Sequence, residues 1–91
     1  MKRSGKFFVV YTSNKEPDKD PRIDIVAGLN VSKKAVLRNK IRRQTKDIIR
    51  GFGLLDKNKL MLNLRVVALP IVINTKFSEL KVDLEKILVA L

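Results

Sequence analysis

The chain is organised around one segment, Ser32-Lys-Lys-Ala-Val-Leu-Arg-Asn-Lys-Ile-Arg-Arg-Gln-Thr-Lys-Asp-Ile-Ile-Arg-Gly-Phe52. Between Lys33 and Arg50 it holds eight bases against one acid, Asp47, a net charge of +7 out of +11 for the whole chain. At about 100° per residue, six mostly apolar side chains fall on one stripe of a helix: Leu37, Ile41, Thr45, Ile48, Ile49 and Phe52. We therefore predict a helix that packs one side on a core and turns another toward anions.

The basic face of this predicted helix contains no acid. Arg38, Arg42, Lys46 and Arg50 recur every four residues, with Arg43 beside them. Like charges at this spacing destabilise a helix by roughly 0.2–0.5 kcal/mol per pair, and an idle, solvated face normally mixes its charges. The pattern therefore favours RNA or DNA as the partner over an idle face. A membrane is the weaker alternative, because the apolar stripe is needed to cover the sheet.

Size and composition narrow the possible functions. The 91 residues, 45% of them hydrophobic, are enough for one domain that buries roughly 60–65% of the unfolded chain's surface. The chain has 20 Lys and Arg against 9 Asp and Glu, with a pI near 10.4, so the expected partner is a polyanion. Cysteine and histidine are absent, which excludes disulfides, thiolate metal sites and histidine acid–base chemistry. We predict a single RNA-binding domain over residues 1–91.

The sequence predicts neither a membrane span nor an export signal. No apolar run approaches the roughly 20 residues that a spanning helix needs. The basic start, Met1 to Lys6, leads into a short run typical of a β-strand, not into the apolar core of a signal peptide. A cytoplasmic location is the expectation.

Two strands are predicted before the basic helix. Residues 6–13, Lys-Phe-Phe-Val-Val-Tyr-Thr-Ser, are rich in aromatic and β-branched side chains. Residues 14–21 hold two prolines among alternating charges, which predicts a long hairpin loop. A second strand is predicted from Ile23 to Val31, where a period of two places one set of side chains on the core: Ile23, Ile25, Ala27, Leu29 and Val31.

Cap residues delimit the basic helix. Ser32 is its predicted N-cap, and Gly51 and Gly53 are its predicted stops. A connector follows over residues 54–63, and residues 64–69 are predicted to form a third strand closed by Pro70.

A last helix is predicted after Thr75, which we expect to cap it. Its apolar residues recur at three- and four-residue spacing: Phe77, Leu80, Leu84, Ile87, Leu88 and Leu91. The element order β-β-α-β-α predicts an α+β domain, a small sheet with helices packed on it.

No catalytic constellation is present in the sequence. Without His and Cys there is no Ser/His/Asp or Cys/His set, and no glycine-rich phosphate loop occurs. Asp18, Asp20 and Asp24 come nearest to a carboxylate cluster. Their position beside a proline-rich turn favours a solvated loop over a metal site. We predict that the chain supplies no catalytic residue, no metal ligand and no cofactor site.

The aromatic residues Phe7 and Tyr11 of the first predicted strand allow two interpretations. An aromatic side chain in a strand commonly belongs to the core. Aromatic side chains on a sheet beside a basic surface are also a recurrent platform for unpaired RNA bases. Composition alone does not separate the two.

The run Val31-Ser-Lys-Lys34, followed by Ala35-Val-Leu-Arg-Asn-Lys-Ile-Arg-Arg43, resembles the signature of the bacterial ribonuclease P protein subunit. That family carries Ser-Lys-Lys, then Ala-Val-x-Arg-Asn-x-x-Lys-Arg-x-x-Arg-Glu on a helix. Three positions match and three are conservative replacements: Arg38, Asn39 and Arg43, then Arg42, Lys46 and Asp47. Phe8-Val-Val-Tyr11 and the closing strand and helix also resemble the family, so the likeness spans nearly the whole chain.

The resemblance is to a shortened or divergent member of the family. The basic, aromatic-bearing helix that usually precedes the first strand has no counterpart here. A few residues between the lysine pair and Ala35-Val36 are missing, whereas residues 22–28 look longer than usual. Leu69-Pro70 stands where the family usually has Arg-Pro.

The resemblance implies a fold and a function. The fold is an α+β sandwich with a left-handed β-α-β crossover around the basic helix, although right-handed crossovers dominate in general. The function is that of a non-catalytic protein subunit of an endoribonuclease, inactive on its own. Its partner, the ribonuclease P RNA, holds the Mg²⁺-dependent active site that removes 5′ leaders from precursor tRNA. The protein binds that RNA and the leader.

The resemblance also assigns roles to residues of this chain. Arg38, Arg42, Arg43 and Lys46 are expected to contact phosphates. Arg50 lies beyond the family motif and is added as an RNA-binding residue from its place on the same basic face. Asn39 is expected to hydrogen-bond RNA, and Lys33 and Lys34 to contact its backbone at the helix start. Tyr11, with Phe7 near it, is expected to stack a leader nucleotide.

Two other functions stay open at this point. One is a stand-alone RNA-binding module, such as a ribosomal protein or an RNA chaperone, without a role in tRNA processing. The other is a scaffold that docks an acidic protein.

Overall fold

The structure, a computed structural model, describes residues 1–53 and 62–90. Their elements, in chain order, are β1 (Lys2–Ser4), β2 (Phe8–Asn14), β3 (Ile23–Val26), α1 (Ala35–Gly51), β4 (Leu62–Ala68), a short 3-10 helix (Pro70–Asn74) and α2 (Phe77–Val89). The α+β class is confirmed. The predicted order β-β-α-β-α is also present, preceded by one additional strand.

The sequence predicts a hairpin between the two strands that correspond to β2 and β3, and this prediction is wrong. The strand order is β1-β2-β4-β3, so β4 lies between β2 and β3. β4 pairs antiparallel with β2 and parallel with β3, and a parallel pair needs a crossover, which α1 supplies. The loop after β2 must therefore pass over one strand, a span of roughly 10 Å. Its end is attached to β4, because the Arg22 N–H donates to Asn63 Oδ1 at 2.9 Å. The hand of the crossover stays a prediction.

Two strand boundaries differ from the predicted ones. β1 has no apolar alternation that would reveal it, and its three residues are exposed. It exists because it pairs with residues 9–11 of β2. The strand predicted to reach Val31 ends at Val26. The chain turns there, with the Val31 N–H donating to the Gly28 carbonyl at 3.0 Å, and Leu29 is consequently exposed instead of facing the core.

Both helices pack on one face of the sheet, which we call the inner face. It presents alternate side chains of β2 and β4, all buried: Phe8, Val10, Leu64, Val66 and Ala68. The predicted stripe of α1 is confirmed, since its four central residues are buried: Ile41, Thr45, Ile48 and Ile49. The buried residues of α2 complete the core: Leu80, Leu84, Ile87 and Leu88. The hydroxyl of Thr45 donates to the Ile41 carbonyl at 2.8 Å, so this buried polar group is satisfied.

The predicted N-caps are wrong for both helices. Lys34 and Lys76 occupy the N-cap positions, and neither makes a capping bond through its side chain. Ser32 Oγ instead accepts from the Lys34 N–H at 3.1 Å, within the turn before α1. Thr75 Oγ1 donates back to the Ile71 carbonyl at 2.8 Å. Both hydroxyl groups are therefore used in local turns, an alternative open to any Ser or Thr near a helix start.

The end of α1 agrees with the prediction. The helix ends at Gly51, and Gly53 has a φ of +89°, a left-handed conformation that glycine adopts without strain. Most of the predicted connector, residues 54–61, lies outside the described residues.

One carboxylate of α2 holds the turn between β1 and β2. Asp83 accepts hydrogen bonds from the N–H groups of Lys6 at 2.9 Å and Phe7 at 3.0 Å. A Cβ on Gly5 would lie only 2.6 Å from Asp83 Oδ2. A side chain at position 5 would push the Asp83 carboxylate away from its two hydrogen bonds, so the close approach favours glycine there. The Asp83 contact ties the start of the sheet to the last helix.

Candidate nucleic-acid interface

The outer face of the sheet carries a row of polar and aromatic side chains. Paired residues of neighbouring strands share a face, and the register aligns Lys2, Tyr11, Arg65 and Asp24 across all four strands. The described helices contribute their buried residues to the opposite face. Within residues 1–53 and 62–90, this row therefore lies on an open sheet surface.

Tyr11 presents its ring on this open surface. The side chain is 42% exposed, and Lys2 Nζ lies 6.0 Å from the ring centroid. Arg65 is its direct partner on β4. Tyr11 and Arg65 line a depression of about 290 Å³ together with Arg22 and Asn63. An exposed ring flanked by cations suits the stacking of an unpaired base whose phosphates need neutralising.

Phe7 is not brought to this surface. It precedes β2, is 6% exposed, and has Lys6 Nζ 5.4 Å from its ring centroid. Its backbone is bonded to Asp83, and its side chain lines a depression with Val82 of α2. The two aromatic residues thus lie in different environments, because Phe7 packs at α2 and Tyr11 faces outward. A role for Phe7 at the leader stays a prediction.

The bases of α1 form the second polar surface of the molecule. Of the eight RNA-binding residues predicted from the sequence, all but Arg38 are exposed: Lys33, Lys34, Asn39, Arg42, Arg43, Lys46 and Arg50. Arg38 is half-buried. Because α1 turns its apolar stripe to the inner face, its bases lie on a different surface from Tyr11. The fold therefore does not bring the two groups of predicted RNA-binding residues onto one surface.

Two of these arginines are bonded to the backbone. Arg38 Nη1 donates to the carbonyl oxygens of Ser32 at 2.9 Å and Lys33 at 3.0 Å. Arg42 Nη2 donates to the Ala27 carbonyl at 3.1 Å, and its Nη1 donates to Asn39 Oδ1 at 2.8 Å. Both guanidinium groups therefore have partners inside the protein before any RNA is bound.

The other bases of α1 and of the turn before it make fewer hydrogen bonds and ion pairs within the protein. Arg50 Nη1 lies 3.9 Å from Asp47 Oδ1, but both side chains are exposed. Exposed ion pairs of this kind contribute little to stability. In the part of the chain that the structure describes, the side chains of Lys33, Lys34, Arg43 and Lys46 have no hydrogen bond or ion pair. These four charges are available to phosphates without breaking an internal contact.

Sequence reasoning missed the cations beside Tyr11. Lys2 belongs to the unpredicted strand β1, so nothing in its neighbourhood marked it. Arg65 had a local signal, because it is the single charge in a strand of apolar residues and alternation places it opposite Leu64 and Val66. What the sequence did not contain was its pairing with Tyr11, since that depends on the order of the strands.

Neither a metal site nor a membrane-spanning helix occurs among the described residues. No group of three or more His, Cys, Asp or Glu in residues 1–53 and 62–90 is placed to hold a metal ion. None of the helices in the same residues has the length and apolar character needed to span a bilayer.

Known proteins resemble this chain over its full length. The family model described as Ribonuclease P matches residues 1–91. The RNase P protein from Staphylococcus aureus has 26% sequence identity to this chain, and its structure matches with a TM-score of 0.79 over 97% of this chain and 77% of that one. The RNase P protein from Thermotoga maritima shares the fold at 20% identity, with a TM-score of 0.78 over 100% of this chain and 83% of that one. A comparison with curated proteins finds no match. With the family model matching from end to end, the chain belongs to the ribonuclease P protein family, the RNA-binding protein subunits of the enzyme that processes tRNA.

Proposed function

We propose that this chain is a non-catalytic subunit that binds two RNA segments on two surfaces. The bases of α1 bind the ribonuclease P RNA, and the outer face of the sheet binds the 5′ leader of precursor tRNA. The observation that carries this proposal is the position of Tyr11. Its exposed ring lies between Lys2 and Arg65 on an open sheet face, away from the basic helix.

Each surface has side chains that suit the RNA segment proposed to bind there. The leader is single-stranded, so its bases are free to stack on an aromatic ring while lysine and arginine neutralise the adjacent phosphates. Among the described residues, α1 and the turn before it carry five side-chain charges without an internal hydrogen bond or ion pair and no exposed aromatic ring, which suits contacts to the phosphate backbone of a folded RNA: Lys33, Lys34, Lys40, Arg43 and Lys46.

Cleavage is assigned to the RNA subunit. The chain has neither His nor Cys, and the acids of the described residues do not assemble into a group that could hold a metal ion. The Mg²⁺ ions that activate water for hydrolysis are therefore expected on the RNA. The protein contributes by holding substrate and RNA together, and the cytoplasmic location stays a prediction.

The proposal is tested by reconstitution. We expect the purified chain to accelerate cleavage of precursor tRNA by a bacterial ribonuclease P RNA at low Mg²⁺, and to cleave nothing without that RNA. Initial rates with and without protein measure the effect. RNA binding without acceleration would favour the stand-alone module instead. Acceleration that requires no RNA subunit would contradict the non-catalytic role.

Affinity for the RNA should depend strongly on salt. If five to seven phosphates are neutralised, the logarithm of the binding constant should fall with log salt at a slope of about −3.5 to −6. Titrations at several salt concentrations measure this slope.

A pair of charge reversals tests whether the salt-dependent affinity for RNA arises from α1. Arg43→Glu with Lys46→Glu should weaken binding strongly and flatten the slope by about 1.4–1.8. The matched control is Lys76→Glu with Lys81→Glu, which changes the net charge equally at two exposed positions on or beside α2. An affinity independent of salt, or equal losses in the two pairs, would contradict binding through α1.

A further inference from the structure

The connection between β3 and α1 is held from one side by two guanidinium groups. Arg42 bonds to its first residue, through the carbonyl of Ala27. Arg38 bonds near its end, through the carbonyls of Ser32 and Lys33. Both arginines lie on α1, so the helix itself holds the segment that leads into it.

The two ends of this connection are supported differently. Ala27 and Val31 are buried, and the Val31 N–H bonds to Gly28, so the first part is anchored by packing. In the last part of the connection, the side chains of Lys33 and Lys34 are both exposed. The Lys34 N–H bonds to Ser32 Oγ and the Lys34 carbonyl begins α1. Within the described residues, Arg38 is the side chain that donates to the carbonyls of Ser32 and Lys33, so it adds the contact that ties the lysine pair to the body of the helix.

Arginine is specifically suited to these contacts. Its planar guanidinium presents several N–H groups at fixed angles, whereas the lysine ammonium is a compact point charge on a flexible stem. Arg42 uses this geometry directly, because two of its nitrogens reach different acceptors, Asn39 and Ala27. A lysine at position 42 would keep the charge and lose this two-nitrogen contact. At position 38, where Nη1 alone donates to both carbonyls, a lysine would keep the charge but replace a rigid planar donor with a flexible one.

We propose that Arg38 and Arg42 are positioning residues, which hold Lys33 and Lys34 in line with the free bases of α1 before RNA binds. This role differs from the direct phosphate contacts predicted for them from the sequence. Pre-ordering matters because side chains and loops that become ordered on binding reduce the affinity. The inference rests on the RNA binding of the proposed function.

The first test replaces arginine with lysine at Arg38 and Arg42 and, as a control, at Arg3 of β1. Arg3→Lys should bind a bacterial ribonuclease P RNA within about twofold of the original chain, because Arg3 is exposed on a strand outside the proposed α1 surface. Arg38→Lys and Arg42→Lys should lose about tenfold, the scale of losing pre-organisation of a few groups. Melting temperatures establish that each variant is folded. Binding by Arg38→Lys and Arg42→Lys that matches Arg3→Lys would overturn the proposal.

The second test shows whether Arg38 acts through the lysine pair. In a Lys33→Ala, Lys34→Ala background, Arg38→Lys should cost less than about twofold, because residues acting together are not additive. In the original background, the salt slope of Arg38→Lys should fall by about 0.7–0.9 for each lysine that no longer reaches a phosphate, although the net charge is unchanged. An equal loss of affinity in both backgrounds, or an unchanged slope, would assign Arg38 to a role independent of Lys33 and Lys34.

Failure of this inference is distinguishable from failure of the proposed function. The titrations use the RNA subunit alone, whereas the role in tRNA processing is tested by cleavage. A chain that shows the predicted arginine-to-lysine pattern without accelerating cleavage supports the positioning role and overturns only the proposed function.

Discussion

Replacing Ile48 with alanine is expected to lower the free energy of unfolding by about 2–5 kcal/mol. Ile48 is 3% exposed and lies on the stripe of α1 that packs on the inner face of the sheet. Removing its side chain loses the transfer free energy of the buried carbons and leaves a cavity that the sheet and helix fill only in part. Chemical denaturation followed by circular dichroism measures the change.

The matched control for Ile48 lies one face away on the same helix. Val36 is 77% exposed, so Val36→Ala should change stability by less than about 0.5 kcal/mol. RNA affinity in Ile48→Ala should fall only to the extent that the protein is unfolded. A variant that keeps its melting transition and yet fails to bind RNA would show that the stripe, and not the basic face, contacts RNA.

Replacing Tyr11 with alanine should weaken binding of precursor tRNA by about 1–3 kcal/mol, the usual scale for one stacked base. The melting temperature should change little, because much of the ring already faces solvent. Mature tRNA lacks the leader, so its binding to the particle assembled with ribonuclease P RNA should be the same with and without the ring. Parallel titrations with the two tRNA forms make the comparison.

Two variants separate stacking from general effects of losing an aromatic side chain. Tyr11→Phe keeps the ring face and should bind precursor tRNA nearly as well as the original chain. Phe77 of α2 has almost the same exposure as Tyr11, 41% against 42%, so Phe77→Ala should leave tRNA binding unchanged. Equal losses for precursor and mature tRNA in Tyr11→Ala would rule out the leader contact, and a drop of several kcal/mol in stability would make Tyr11 a core residue.

The helices illustrate what local periodicity can predict. The stripe from Leu37 to Phe52 is an intrinsic property of a 3.6-residue repeat, and burial of Ile41, Ile48 and Ile49 confirms it. The basic face follows from the same repeat. The helix starts were not predictable in this way, because Ser32 and Thr75 had other partners for their hydroxyl groups within the adjoining turns.

The candidate site likewise has a part that side-chain periodicity predicts and a part that it does not. That Arg38 and Arg42 share a face of α1 could be predicted from their spacing, but their acceptors lie up to 15 residues away at Ala27. That distance closes only when β3 is placed beside the helix. Phe7 and Tyr11 looked equivalent on the strand, yet Phe7 precedes β2 and is buried beside α2, where Asp83, 76 residues later, accepts from its backbone N–H.

By itself, therefore, the sequence determined the element types, the α+β class and the concentration of positive charge on one helix. These depend on side-chain periodicity and residue chemistry within short windows. Only the tertiary structure decided the insertion of β4 between β2 and β3, the pairing of Lys2 with Tyr11, and the bonding of Arg38 and Arg42 to the backbone. Those contacts lie beyond what a periodic pattern can predict, because each depends on how strands, turns and helices are placed against one another. Burying the inner face of the sheet under two helices leaves its outer face as a second surface.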